Sequence, residues 1–114
     1  MGCSEVIRLL VRWALRNEHH KIAAAYLYYV ENRSISEIAH ELGKPRTTVR
    51  GWVLRVAQRN GGGSTSYRGL SRLLREVYPI VFSLPPALRK PTPELIEAKA
   101  REVIKLWCGF TTRA

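Results

Sequence analysis

Between Lys44 and Arg59 the chain reads KPRTTVRGWVLRVAQR, with five cations (Lys44, Arg46, Arg50, Arg55 and Arg59) and no carboxylate. Arg46 and Arg50 are four residues apart, so on a helix they share one face. Each guanidinium presents a rigid fork of donors that fits two acceptors at once, either phosphate oxygens or the O6 and N7 edge of guanine. The chemistry expected of this segment is recognition of a polyanion.

Other reactive side chains form no comparable cluster. His19, His20 and His40 do not make an i, i+4 ligand pair with a carboxylate, so no metal site is expected. Cys3 and Cys108 are far apart and lack CxxC or His spacing. They read as reduced, incidental thiols, with a disulfide between the two ends as the alternative. Gly61 to Gly63 lead into Ser64-Thr65-Ser66 without the Lys-Ser/Thr ending of a phosphate-binding loop. No paired carboxylates, and no Ser or Cys nucleophile beside a His and an acid, suggest catalysis. The expectation is a non-enzymatic protein with no cofactor and no small-molecule substrate.

Charge over the whole chain points the same way. Nineteen Lys and Arg face nine Asp and Glu, a net charge of +10, which favours a polyanionic partner, nucleic acid first and a membrane surface second. The longest unbroken apolar run, Ile22 to Val30, is far short of the roughly 20 residues of a membrane span. Arg8, Arg12 and Arg16 interrupt every window that could serve as an export signal. A cytoplasmic, nucleoid-associated protein is expected.

Stepping outward along the chain, apolar residues recur at helical spacing. Residues 5 to 17 place Val6, Leu10, Trp13 and Ala14 on one face, with Ser4 set to cap the start. Residues 20 to 31 repeat the pattern through Ile22, Ala25, Tyr26, Tyr29 and Val30. Ser34 and Glu37 form a capping box ahead of Ile35, Ile38 and Leu42, and Gly43 suits the left-handed end of that helix. After Gly43-Lys44-Pro45-Arg46, the stripe Val49, Trp52, Val53 and Val56 marks a second helix, with Trp52 as the core anchor.

The segment Asn60 to Ser66 has the only flexible-linker composition, which divides residues 1–60 from 67–114 at a linker over 61–66. Beyond it, Leu70, Leu73, Leu74, Val77, Tyr78 and Val81 form a stripe that Pro79 is expected to end or kink near Tyr78. Thr92 and Pro93 start a last helix with Ile96, Ala100, Val103, Ile104 and Trp107 inward. No period-two pattern occurs. The fold class is all-α: an N-terminal three- to four-helix bundle containing a helix-turn-helix, plus a C-terminal helical pair. The C-terminal stripes must bury against the N-terminal helices or against a second copy. A homodimer is the favoured expectation, because one short recognition helix rarely gives adequate affinity.

Ser36-Glu37-Ile38-Ala39, Leu42-Gly43, Thr48-Val49 and Trp52 carry a resemblance to the helix-turn-helix of the homeodomain-like superfamily. The stretch is more closely similar to the C-terminal DNA-binding region of bacterial sigma factors and related small regulators. The resemblance covers residues 21 to 59. Lys44 departs from it, since an apolar residue usually follows the turn glycine, and no other sigma-factor region is present. What the resemblance implies is a second helix whose N-terminal end enters the major groove of double-stranded DNA.

With the inner stripe removed, Arg46, Thr47, Arg50, Gly51 and Leu54 face outward as the expected base contacts, Gly51 by permitting close approach. Ser36, Lys44, Thr48, Arg55 and Arg59 lie around them and suit phosphate contact. The ridge Arg8, Arg12, Arg16 reads as a solvated face before it reads as a second phosphate strip. Tyr26, Tyr28 and Tyr29 read as packing. The expected function is sequence-specific duplex DNA binding by a small transcriptional regulator. The alternatives are the recognition module of a recombinase, transposase or partition system, and a helical interaction adaptor.

Overall fold

Apolar periodicity near 3.6 residues resolves into six helices in the computed structural model, which describes residues 2–60 and 67–111 and the side chains of 4–60 and 69–107. They are α1 (Gly2–Leu15), α2 (His19–Tyr29), α3 (Ile35–Leu42), α4 (Arg46–Arg59), α5 (Tyr67–Phe82) and α6 (Pro93–Thr111). No strand occurs among the described residues, and the class is all-α. The linker expected at 61–66 and the thiols of Cys3 and Cys108 lie outside the described residues.

Local chemistry accounts for most boundaries. The Ser34 hydroxyl accepts from the Glu37 amide at 3.1 Å, and the Glu37 carboxylate accepts from the Ser34 amide at 3.0 Å, which closes the capping box of α3. Gly43 ends α3 at φ +67°, with the Lys44 amide donating back to Ala39 O at 3.0 Å. Pro45 stands one residue before α4 instead of inside it. The turn is therefore three residues, and Arg46 opens the helix. Asn17 at φ 61° closes α1, with Glu18 N donating to Trp13 O at 2.7 Å. Thr92 Oγ1 accepts from Leu95 N at 3.1 Å at the start of α6.

Two expectations need correction. Ser4 does not cap α1, because the helix already runs from Gly2. Of the two outcomes expected at Pro79, an end to α5 is excluded, since the helix continues to Phe82 with the proline inside it. Proline removes one amide donor and leaves the Arg75 carbonyl without its helical partner. Arg75, Glu76 and Pro79 are all exposed, so water can take that carbonyl, while Val77 and Val81 on the opposite face are fully buried. The buried face holds the helix together through the proline.

The core is continuous from end to end. α1 is its axis: Val6, Ile7, Leu9, Leu10, Val11, Trp13 and Ala14 are all essentially inaccessible, so α1 is covered on nearly every side and not on one stripe alone. α2 and α4 cover one flank, while α6 lies along α1 and α5 lies along α2. Leu70, Leu73, Leu74, Val77, Val81, Ala100 and Val103 enter the same cluster as Ile22, Ile38, Val49 and Val56. The C-terminal stripes that the sequence offers to a second copy are thus buried within the chain. Each fully buried Leu, Ile or Val of this kind contributes about 1.5–3 kcal/mol by leaving water.

Candidate nucleic-acid interface

Turning four residues inward fixes which residues of α4 turn outward. Val49, Trp52, Val53 and Val56 are buried, and the Tyr29 hydroxyl donates to Val53 O at 3.0 Å, pinning α4 to α2. His20 meets the Trp52 ring edge-on at 5.0 Å, and Lys21 Nζ stands 5.8 Å from its centroid. Burial first, and then the charges of Lys44 and Lys21, push the His20 imidazole below its ordinary value. α4 therefore sits on a rigid base.

Arg46, Thr47, Arg50, Gly51 and Leu54 are all exposed, Leu54 to 47%. A Cβ built on Gly51 would meet nothing within 4 Å, so the glycine leaves a smooth patch on an open face. Lys44 is exposed in the turn, Ser36 in the first turn of α3, and Arg55 and Arg59 further along α4; Thr48 is half-buried. Arg46, Thr47, Arg50, Leu54 and Ser36 come together around one open groove of about 580 Å³. Gly51, Lys44, Thr48, Arg55 and Arg59 lie outside that lining.

Ion pairing separates this face from the cations of α1, α2 and α6 that hold carboxylates. Arg8, Lys21, Arg33, Lys99 and Arg101 each hold a carboxylate within 4 Å. Among the described residues, Lys44, Arg46, Arg50, Arg55 and Arg59 form no such pair. The acids of α3 are committed elsewhere: Glu37 caps its own helix and Glu41 accepts from Arg33 Nη1 at 2.7 Å. Arg46 makes only a long 3.5 Å contact to Ser36 Oγ, near the upper limit for a hydrogen bond. Five cations on one exposed helix and its turn, with no internal anion, leave their positive potential for an external one.

All three tyrosines of α2 pack as expected, and one of them also reaches the groove. Tyr29 is core and Tyr26 stacks on Tyr78 at 4.1 Å, but Tyr28 is half-buried and lines the groove beside Arg46 and Arg50. Its signal was its offset from the stripe Ile22, Ala25, Tyr29. A phenol there can donate to a phosphate oxygen.

The ridge on α1 is divided by what packs on it. Arg8 Nε and Nη2 donate to the Glu97 carboxylate at 2.7 and 2.9 Å, joining α1 to α6. Those bonds, with a further one from Arg101, hold the Glu97 carboxyl down at about 2. Arg16, in contrast, is exposed beyond the end of α1. No helix among the described residues is long and apolar enough to cross a membrane, and no group of three metal-ligating side chains occurs among them. Compared with protein-family models, curated proteins and solved structures, the chain matches none.

Proposed function

We propose that this protein is a small transcriptional regulator that binds double-stranded DNA sequence-specifically, with α4 as its reading helix. The observation that carries the reading is the row of exposed, unpaired cations from Lys44 to Arg59, set on a helix whose other side is locked into the core. In this reading the N-terminal half of α4 enters the major groove. Arg46 and Arg50 give bidentate contacts to guanine, and Thr47 and Leu54 meet thymine methyl groups. Gly51 admits the closest approach. Ser36, Lys44, Thr48, Arg55 and Arg59 hold phosphates on either side and set the register.

The same reading places the protein in the cytoplasm, on the nucleoid. The homodimer, expected because one short recognition helix rarely gives adequate affinity, would have to use another face, since much of the C-terminal stripes packs within the chain. One reading head per folded chain is the simpler arrangement. Selection of bound duplexes from a random pool, followed by sequencing, tests both points. One enriched block containing guanines supports the proposal with a single head, and two blocks about one helical turn apart restore the dimer. Failure to enrich any sequence, with binding that hardly changes with salt, contradicts DNA reading and returns the interaction adaptor.

A further inference from the structure

We infer that the proline-rich loop between α5 and α6, residues 83–92, is a second contact with the DNA backbone, independent of sequence and flanking the site read by α4. This inference rests on the DNA reading proposed above.

The loop carries Arg89 and Lys90 and no carboxylate. Both cations are exposed and, among the described residues, unpaired. The path of the loop is fixed at several points. Ser83 Oγ donates to Ile80 O at 2.9 Å, Leu84 N to Val81 O at 3.1 Å, and Ala87 N to Leu15 O at 2.9 Å. His19 Nε2 donates to Leu84 O at 3.2 Å. Proline at 85, 86 and 91 further restricts the backbone that carries the two cations, which lowers the ordering cost of a contact there.

These anchors bring the loop onto the corner between α1 and α2, where it forms a recess of about 370 Å³. Arg16, from the end of α1, lines that recess with Arg89 and Lys90. Glu18 is the single carboxylate in the lining; its Oε2 pairs with Lys21 at 3.2 Å, and its Oε1 is buried without a hydrogen-bond partner among the described residues. Three cations from two sequence-distant segments line the recess against one carboxylate that already pairs with Lys21, an excess of positive charge that an external anion stabilises. Leu88 is wholly exposed next to Arg89, an apolar tip beside two cations.

Position selects a duplex over other polyanions. The first turn of α2 touches the loop through His19 and touches Trp52, beneath α4, through His20. His20 also feels the charge of Lys44, in the turn that opens α4, so the loop lies two adjacent residues away from the turn that leads into the reading helix. A duplex seated on α4 has a further run of phosphates on each flank, and the loop cations meet one of them.

The test compares wild type with Arg89→Ala/Lys90→Ala and with the charge-conserving Arg89→Lys/Lys90→Arg, each as the full chain, on a duplex selected by wild type. Hydroxyl-radical footprints and the salt dependence of affinity are read together. Loss of two phosphate contacts lowers the slope of log affinity against log salt by about 1.8, so from about 50 to about 200 mM salt the alanine variant loses roughly twelve-fold less affinity than wild type. Its footprint shortens on one flank, its base preference is unchanged, and the charge-conserving variant matches wild type. A wild-type slope and footprint in the alanine variant overturns the loop contact. If Arg46→Ala still relaxes base preference in that case, the reading by α4 stands alone; if wild type binds no duplex, both fall.

Discussion

α1 and α4 carry arginines at the same four-residue spacing, Arg8 and Arg12 on one, with Arg16 just past its end, and Arg46 and Arg50 on the other, yet their surroundings differ. On α1, the carboxylate of Glu97 arrives from α6 and takes Arg8 in a two-bond fork. On α4, every nearby acid is engaged with its own helix or with Arg33, and the guanidinium groups stay open. Spacing sets a ridge, but the element packed opposite decides whether the ridge is a structural clasp or an available surface.

The largest effect comes from removing what holds the open ridge in place. Trp52→Ala empties the site between α2 and α4, and should cost about 3–5 kcal/mol in chemical denaturation, with DNA binding lost alongside the fold. Arg46→Ala or Arg50→Ala should leave stability within about 0.5 kcal/mol while removing about 1–3 kcal/mol of discrimination at one guanine position. Competition binding with single-base variants of the selected site measures that loss. Arg8→Ala should do the reverse, lowering the melting temperature without changing base preference.

The two glycines of the motif sharpen the contrast further. Gly43→Ala places a side chain at φ +67° with no steric neighbour within 4 Å, so the cost is backbone strain alone, about 1–2 kcal/mol. Gly51→Ala sits in open space on a helix and should stabilise the fold by about 0.5–1 kcal/mol. The same change should weaken DNA binding, because the added methyl group stands where the groove floor comes nearest. Thermal melts and binding isotherms of this one variant should therefore move in opposite directions.

The smallest effect belongs to the clasp, whose partners are each about one-third exposed. Glu97 is held near 2, below its ordinary 4.5, chiefly by the hydrogen bonds from Arg8. A carboxyl with a lowered value in the folded state stabilises above its ordinary value and loses that contribution as pH falls through the lowered one. Glu97→Gln should accordingly be less stable than wild type above about pH 4.5, with the two melting curves converging toward pH 2. A constant difference across that range excludes the clasp as its source.

What the sequence disclosed and what it concealed follow the range of the interactions. The capping box at Ser34, the glycine turn at Gly43, the inner stripe of α4 and the Thr92 cap each depend on residues within a few positions, and all were legible. The Arg8–Glu97 clasp spans 89 residues and leaves no local trace. The burial of Ile7, Leu9 and Val11 depends on α5 and α6 folding back, which a single amphipathic pattern cannot announce. Pro79 misled because its exposed position, which spares α5, is a tertiary property. Tyr28 packs as its place beside the stripe suggests, and its second position, in the lining of the α4 groove, depends on where α4 docks.

The account turns on whether the forks of Arg46 and Arg50 read bases, and Arg46→Lys/Arg50→Lys isolates this by keeping both charges and removing both forks. Affinity for the selected duplex and for a duplex with its guanines replaced should be measured for wild type and this variant at one salt concentration. The account predicts that wild type separates the two duplexes, whereas the lysine variant binds both with nearly the same affinity and an unchanged salt slope. Undiminished discrimination by the lysine variant, or none by wild type, would contradict it.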